Sequence, residues 1–440
     1  MASNEQKSGR PRVVVVGAGF AGYHAVRALR RKVRDAVEIV LINPTDYFLY
    51  LPLLPEVAAG VLEPRRVAVP LAASLRGVDV VLGEVDEIDL AQKRVGWSDP
   101  EGGRDAVGYD RLLLAVGSVN KLLPIPGVAE HAHGFRGLPE ALFLRDHIVR
   151  QFEIAADETD PAERAARCMF VVVGAGYTGT EVAAQCVLLT DSLRAAHPQL
   201  HDQQVRWMLL DTAERVLPEL DERLSTTADR VLRERGVEVR MGVSVEEAGH
   251  DGVRLTTGED VATRSLIWCV GVRADPLVES LGVKTEKGRV VVDEFMRVPG
   301  QSEVFACGDS AAVPDVTRPG QATAMTAQHA QRQGKLVARN MAASLGRGVA
   351  RRYKHHDLGF VVELGGSAAA ANPLHVPLAG LPAKAVTRGY HLAAMPGNRI
   401  RTAADWALDA VLPRQTVQLG LVRGDEVPLE TATPEHPHRP

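Results

Sequence analysis

Two glycine-rich turns carry the chemistry that the sequence shows most directly. Residues 13–22 read VVVVGAGFAG and residues 170–179 read FVVVGAGYTG, so each apolar run ends in a GxGxxG pattern. The first glycine permits a tight turn, the second lets the backbone approach a pyrophosphate, and the third lets a helix pack closely on a strand. Two copies predict two dinucleotide sites, built on Gly17, Gly19, Gly22, Gly174, Gly176 and Gly179.

Each turn requires a buried strand before it and a helix after it. Residues 13–16 and 170–173 predict the strands, while helices are expected from Gly22 to about Lys32 and over residues 181–189. The start of a helix presents free N–H groups and the positive end of its dipole, which suit a phosphate.

The second strand of each predicted unit ends in a residue suited to a ribose. Residues 205–210 (VRWMLL) end at Asp211, and an acidic residue there favours NAD over NADP. Residues 37–42 (VEIVLI) end at Asn43, whose amide also hydrogen-bonds hydroxyl groups.

The composition limits the class of protein. A chain of 440 residues with 45% hydrophobic and 24% charged residues suits two or three soluble domains. The net charge of −4 gives no reason to expect nucleic acid as a partner. The four cysteines form no CxxC pair, no metal site is expected, and no run of 18 apolar residues occurs. The polar start of the chain lacks a signal-peptide pattern, so we expect a cytoplasmic protein.

Further segments complete the predicted framework. Residues 46–60 (DYFLYLPLLPEVAAG) are interpreted as a core loop or as a surface for a flat apolar ligand. The other predicted strands cover 78–85, 110–117, 237–241, 265–272 and 302–309, and the other predicted helices cover 140–156, 221–235 and 322–345.

These motifs resemble those of the type II NADH dehydrogenases, a family of two-domain flavoprotein reductases. The similar segments are VVVVGAGFAG with the 46–60 loop and Leu71, LLLAVGSV at 112–119, VFACGDSA at 304–311 and TAQHAQRQG at 326–334. Val116 stands where the group has threonine. The resemblance covers residues 12–421.

The resemblance implies an α/β fold in which an NAD domain is inserted into a discontinuous FAD domain. It implies FAD-binding parts at 12–125 and 286–355, an NAD-binding domain at 126–285, and a C-terminal lobe at 356–421 for quinone, membrane or dimer contacts. Residues 1–11 and 425–440 are expected to be tails. The implied activity is hydride transfer from NADH to FAD, then transfer of two electrons to a quinone, without proton pumping.

The resemblance also assigns roles to residues. Glu181 is implied as the acid on the quinone side, although a carboxylate in a first helical turn is also favoured by the helix dipole, by ~0.3–1 kcal/mol. Gln328 is implied as a hydrogen-bonding group near flavin and quinone, while His329 is left outside the catalytic set. The remaining expected cofactor-binding residues are Phe20, Ala21, Val85, Ala115, Gly117, Gly271, Gly308, Asp309 and Ala327.

The expected partners are menaquinone or ubiquinone, with peripheral attachment to the cytoplasmic face of the cell membrane and a homodimer both left open. Apolar residues with basic neighbours at 378–419 suit an interfacial helix or a packed lobe. One alternative is a soluble reductase of a carrier protein or a small quinone-like metabolite. Another is a non-catalytic FAD/NADH redox sensor.

Overall fold

The computed structural model describes residues 9–355 and 357–429, so most of the predicted tails, residues 1–11 and 425–440, lies outside the described residues. The strands, numbered in chain order, are β1 (Arg12–Val16), β2 (Glu38–Asn43), β3 (Tyr47–Leu49), β4 (Ala68–Pro70), β5 (Asp79–Leu82), β6 (Glu84–Asp89), β7 (Arg94–Ser98), β8 (Arg104–Gly108), β9 (Arg111–Leu114), β10 (Ser118–Asn120), β11 (Ala132–Gly134), β12 (Met169–Val173), β13 (Arg206–Asp211), β14 (Val237–Met241), β15 (Val245–Gly249), β16 (Gly252–Leu255), β17 (Asp260–Ala262), β18 (Ser265–Trp268), β19 (Val272–Ala274), β20 (Thr285–Glu286), β21 (Arg289–Val291), β22 (Val304–Ala306), β23 (Ala311–Ala312), β24 (Val361–Glu363), β25 (Ala369–Ala371) and β26 (Leu378–Ala379). The α-helices are α1 (Phe20–Val33), α2 (Leu54–Ala58), α3 (Leu71–Ser74), α4 (Val128–His131), α5 (Leu138–Asp157), α6 (Pro161–Arg167), α7 (Tyr177–Ala196), α8 (Glu222–Glu234), α9 (Ala327–Ser344), α10 (Gly380–Ala394) and α11 (Arg399–Asp409).

The chain forms two compact units, each built from separate segments. The described part of the first unit comprises residues 9–49, Ala68–Val119 and 273–355. The described part of the second comprises Tyr50–Val67, Asn120–Val272 and 357–429. The assignment of FAD and NAD to particular domains stays a prediction.

The first unit contains a parallel sheet with the strand order β22–β9–β1–β2–β5. All five residues of β1 are buried, which explains why the four residues after Arg12 are all valine. Helix α9 packs against α1 at Gly334, where a β-carbon would lie 2.2 Å from the carbonyl oxygen of Ala21. The glycine therefore permits a close approach of the two helices.

The second unit repeats the pattern with the order β11–β18–β12–β13–β14, also parallel. Phe170 of β12 stacks on Trp207 of β13 with ring centroids 4.7 Å apart. A smaller antiparallel sheet, β24–β25–β26, packs against α10 in the same unit. The predicted α/β fold with two Rossmann-like units is confirmed.

Several predicted boundaries were wrong for local reasons. Helix α7 begins at Tyr177, before the predicted start at Glu181. The prediction missed the first turn because Gly179 and Thr180 have low helix propensity. The predicted strand over 265–272 stops at Trp268, and Gly271 has a φ of +94°, which extended backbone does not allow. The loop at 46–60 contains β3 and α2 and is largely buried.

The last described segment packs within the second unit. Leu429 is buried in a cluster with Val171, Met208 and Trp268. Two backbone N–H groups, of Leu419 and Gly420, donate to the carboxylate of Asp146. Residues 425–429 therefore do not form a free tail, because their apolar side chains are buried. Within residues 9–355 and 357–429, no helix is both long enough and apolar enough to span a membrane.

Candidate functional site

The glycine-rich turn of the first unit joins β1 to α1 and is closed by backbone contacts. Gly17 has a φ of +93°, and a β-carbon there would lie 2.4 Å from the carbonyl oxygen of Ala115. A β-carbon on Gly22 would lie 1.8 Å from the carbonyl oxygen of Gly17. Gly19 differs, because a β-carbon there would meet nothing within 4 Å. The first and third glycines are therefore required by packing, whereas the second faces open space.

The start of α1 suits an anion. Gly19 caps the helix without a side chain, and the first turn carries no acidic residue. The first N–H groups of a helix lack partners within the helix and carry partial positive charge. A pyrophosphate placed at Gly19 would satisfy these groups, so the turn fits a dinucleotide. Phe20, the first helical residue, packs edge-on against Phe48 with centroids 5.0 Å apart.

Asn43 holds the same turn from the end of β2. Its Oδ1 accepts the N–H of Ala18 at 2.7 Å, and its Nδ2 donates to the carbonyl oxygen and hydroxyl of Thr45 at 2.8 and 2.9 Å. Both amide hydrogens are thus used inside the protein. Asn43 retains only acceptor capacity for a ribose hydroxyl, and this role stays a prediction.

The Gly-Asp turn after β22 lies in the same unit. Gly308 has a φ of +76°, and its N–H donates to Oε1 of the buried Gln333 at 2.8 Å. Ser118 donates its hydroxyl to Oδ2 of Asp309 at 2.6 Å. The bond from Ser118 fixes the Asp309 side chain, so it fits the predicted role of a cofactor-binding group.

The other predicted residues of the first unit occupy separate elements. Ala21 is buried in the first turn of α1, and Ala115 follows β9. Gly117 has a φ of +83°. Val85 lies on β6, opposite Trp97 of β7. Ala327 begins α9.

The turn of the second unit reproduces this arrangement. Gly174 has a φ of +105°, and a β-carbon there would lie 2.2 Å from the carbonyl oxygen of Cys269. A β-carbon on Gly179 would lie 1.8 Å from the carbonyl oxygen of Gly174, whereas Gly176 and Gly271 face open space. Gly176 caps α7 without a side chain, and no acidic residue lies in the first turn. This turn fits a dinucleotide for the same reasons as the first.

Asp211 has the position that Asn43 has in the first unit. Its Oδ2 accepts the N–H of Ala175 at 2.6 Å and its Oδ1 accepts the N–H of Ala213 at 2.8 Å. Each carboxylate oxygen keeps a further lone pair for a ribose hydroxyl. Its negative charge opposes a 2′-phosphate, which supports the predicted preference for NAD.

Glu181 lies one turn into α7 and is half-buried. Its Oε1 accepts the backbone N–H of Glu363 at 2.8 Å. Burial is the main cause that raises the pKa of Glu181 well above its usual value, and the negative charges of Glu363 and Glu56 raise it further. The hydrogen bond from Glu363 acts in the opposite direction. Burial therefore disfavours the ionised form of Glu181, which suits a proton donor.

Gln328 is the second residue of α9 and is half-buried. Its neighbour His329 is not simply exposed to solvent, since its Nδ1 lies 2.9 Å from the Tyr353 hydroxyl and its ring stacks on His355. Burial lowers the pKa of His329 to about 4, so it is neutral at pH 7. The roles of Gln328 and Glu181 stay predictions.

Sequence reasoning missed three charged residues of the second unit. Glu56, Glu363 and Lys384 are all buried, and Lys384 forms an ion pair with the Glu363 carboxylate. Oε2 of Glu56 accepts the indole N–H of Trp406 at 2.5 Å. A lone glutamate in the apolar segment 46–60 was the one available signal.

Comparison with known proteins identifies the family. The sequence profile described as pyridine nucleotide-disulphide oxidoreductase matches residues 11–334. The type II NADH:quinone oxidoreductase Ndh of Mycobacterium tuberculosis is 33% identical over 424 residues, covering 92% of this chain and 89% of that protein. The chain belongs to the type II NADH:quinone oxidoreductases within the pyridine nucleotide-disulphide oxidoreductase family. The resemblance inferred from the motifs is confirmed.

A second relative agrees with this family, and a solved structure agrees with the fold. NdhA of M. tuberculosis is 36% identical over 337 residues, covering 73% of this chain and 71% of that protein. NDH2 from Plasmodium falciparum in complex with NADH has a TM-score of 0.85 at 15% identity, covering 93% of this chain and 100% of that chain. This structural likeness confirms the fold.

Proposed function

We propose that the protein is an FAD-dependent NADH:quinone oxidoreductase. The observation that carries the proposal is a pair of glycine-rich turns, one in each unit, in a chain that belongs to this family. Each turn precedes a helix that has no side-chain cap. Each turn leaves open space at its second glycine and lies at the positive end of a helix dipole. Two such turns serve two dinucleotides, which an enzyme that passes electrons from NADH through a flavin requires.

The first unit would hold FAD and the second NADH. Gly17, Gly19, Gly22 and Asp309 would bind the FAD, which supplies the two-electron chemistry when bound. Asp211 would hold the ribose of NADH. All four cysteines are free, and burial raises the pKa of Cys186 to about 12, so this thiol is a poor nucleophile.

Glu181 would supply a proton for reduction of the quinone. Since Oε1 accepts the N–H of Glu363, the acidic hydrogen is favoured on Oε2. A group that donates a proton in the transition state works best when its pKa is near the pH of operation, which the buried environment of Glu181 promotes. Gln328 would offer a neutral hydrogen-bonding group to the quinone.

The test is an anaerobic visible-spectrum experiment in two steps. NADH should reduce the flavin rapidly and NADPH slowly, and menadione should then reoxidise it. Glu181→Gln should leave reduction by NADH unchanged and slow reoxidation by menadione. If both half-reactions keep their rates in stopped-flow measurements, the acid role is wrong. Long-lived reduced flavin in the wild-type protein, with no response to menadione, would instead support a redox sensor.

We also propose peripheral attachment to a membrane through α11 and the segment after it. Trp406 is buried on the inner side of α11, whereas Ile400 and Val411 are 86% and 76% exposed. Exposed Arg401 adds positive charge beside them. Apolar side chains with basic neighbours suit the interface of an anionic bilayer.

Flotation with anionic liposomes tests the attachment. The wild-type protein should float with the liposomes, and Ile400→Glu should reduce the floating fraction. Val349→Glu is the matched control, because Val349 is 72% exposed but lies in the first unit. Absence of flotation, or equal loss in both variants, would contradict the proposal, and a dimer in sedimentation measurements would point to a contact between copies.

A further inference from the structure

The second unit contains a buried ion pair to which the proposed reaction assigns no role. The side chains of Glu363 on β24 and Lys384 on α10 are 2% and 9% exposed and form a salt bridge. Removing two charges from water costs several kcal/mol, and buried pairs are often replaceable by apolar residues without loss of stability. Stability alone therefore does not explain why this ion pair is present.

The backbone of β24 is hydrogen-bonded to side chains of α7, the helix that carries Glu181. The Glu363 N–H donates to Glu181 Oε1 at 2.8 Å, and Gln185 Nε2 donates to the Glu363 carbonyl oxygen at 3.4 Å. Arg235 donates to the carbonyl oxygens of Ala184 and Gly365 at 2.6 and 2.8 Å, which ties the end of β24 to the same helix. Glu181 thus receives a fixed hydrogen bond on one oxygen.

The Glu363 carboxylate raises the pKa of Glu181, whereas the hydrogen bond from the Glu363 N–H lowers it. Glu363 Oε1 is paired with Lys384 and accepts the N–H of Gly365 at 3.1 Å. Glu363 Oε2 is buried and has no hydrogen-bond partner among the described residues. A second ionised carboxylate near this group is disfavoured by like-charge repulsion in a site with little water.

Charged and titratable groups approach this site from every neighbouring element. They are Tyr177 on α7, Glu56 on α2, Glu363 on β24, Lys384 and Arg388 on α10, Arg235 after α8, and Arg414 after α11. Arg414 is already paired with Asp409 at 3.2 Å.

We propose that Glu363 is a positioning residue for Glu181. Its N–H fixes Oε1 of Glu181, and its carboxylate, held by Lys384, keeps the proton on Glu181. This inference rests on the proposed function for its catalytic meaning, but the protonation of Glu181 can be measured without turnover. After Glu181 has donated its proton, the Glu363 charge favours uptake of another proton from solvent.

The test compares the pH dependence of menadione-driven flavin reoxidation in matched variants. Glu363→Gln keeps the N–H but removes the negative charge, so the pH at which the rate falls by half should move down by about one unit. Glu363→Asp, which keeps the charge, should stay close to the wild type. Glu163→Gln is the control, because it makes the same chemical change in another ion pair of the same unit, formed with Arg264, and neither partner is one of the groups named above.

A second readout measures Glu181 directly. Infrared spectra of the holoenzyme should show the carbonyl band of a protonated carboxyl group, assigned by its loss in Glu181→Gln. In Glu363→Gln this band should disappear at a lower pH than in the wild type. If Glu363→Gln does not fold, Glu363→Gln/Lys384→Met removes both charges without leaving a buried unpaired cation, and a smaller downward shift is expected because the cation is lost as well.

The outcomes separate this inference from the proposed function. If wild-type flavin is not reoxidised by menadione at any pH, the proposed function fails, while the infrared titration still tests the link between Glu363 and Glu181. If wild-type enzyme turns over but Glu363→Gln titrates like the wild type or like Glu163→Gln, Glu363 is merely structural and the inference is overturned.

Discussion

Replacing Gly176 by alanine should weaken NADH binding with little effect on folding. Gly176 has φ and ψ of −72° and −167°, which alanine adopts without strain, and a β-carbon there meets nothing within 4 Å. Loss of a glycine cap to alanine costs roughly 0.5–1 kcal/mol of helix stability. A methyl group in the space proposed for the pyrophosphate should remove at least one charge-assisted hydrogen bond, worth ~1.5–3 kcal/mol. The Kd for NADH should therefore rise about 10- to 100-fold.

Gly179→Ala is the matched comparison. It should destabilise the fold through a steric clash, whereas Gly176→Ala should weaken NADH binding. Its β-carbon would lie 1.8 Å from the carbonyl oxygen of Gly174, so the backbone of the turn must move. Overpacking of this kind costs ~1–3 kcal/mol or more. We expect a lowered Tm in Gly179→Ala, in contrast to Gly176→Ala.

The assay uses the flavin as an internal reporter. The Kd for NADH comes from the concentration dependence of flavin reduction in anaerobic stopped flow, and Tm comes from the same preparations. Gly176→Ala should show normal flavin content, nearly normal Tm and weak NADH binding. If NADH binds to Gly176→Ala as tightly as to the wild type, the open space at Gly176 does not receive the pyrophosphate and the reasoning is refuted.

Three further changes have distinct expected outcomes. Asp211→Asn can still accept the N–H of Ala175 but lacks the charge that opposes a 2′-phosphate. The ratio of kcat/KM for NADPH to that for NADH should therefore rise about tenfold. An unchanged ratio would contradict this role of Asp211. Burial raises the pKa of Glu56 from 4.5 to about 7, so the stability that its protonated form contributes is lost as pH rises through 7. Relative to Glu56→Gln, the wild type should lose unfolding free energy on the order of 3 kcal/mol between pH 4.5 and 8. Parallel pH profiles of Tm in the two proteins would show that Glu56 does not titrate there. Gln328→Ala should raise the KM for menadione roughly 3- to 10-fold through loss of one neutral hydrogen bond, and an unaltered KM would remove Gln328 from the site.

The parts of the fold predicted from sequence are those governed by local patterns. Strands β1 and β12 are buried on both faces, so their apolar runs were unambiguous. The glycine turns were recognisable because the first and third glycines of each motif meet a steric demand, whereas the second leaves open space. Asp211 was found because its place at the end of a second strand is a fixed feature of the motif.

The cluster around Glu181 could not be predicted, because it joins residues far apart in sequence. Glu181 and Glu363 are 182 residues apart, and the Glu363 N–H that binds Glu181 is a backbone group with no sequence signature. Glu363 and Lys384 are 21 residues apart on a strand and a helix. Local charge patterns predict neighbours within a helix, but they do not report tertiary pairs.

Asn43 and Asp211 perform the same mechanical task in the two halves of the chain. Each accepts the N–H of the residue after the first glycine, at 2.7 and 2.6 Å, yet one side chain is neutral and the other is an anion. The hydrogen bond that shapes the turn is therefore indifferent to charge. A single substitution between these two residue types is therefore expected to change the charge beside the turn while leaving the hydrogen bond that shapes it intact. The charge at this position can vary without rebuilding the scaffold.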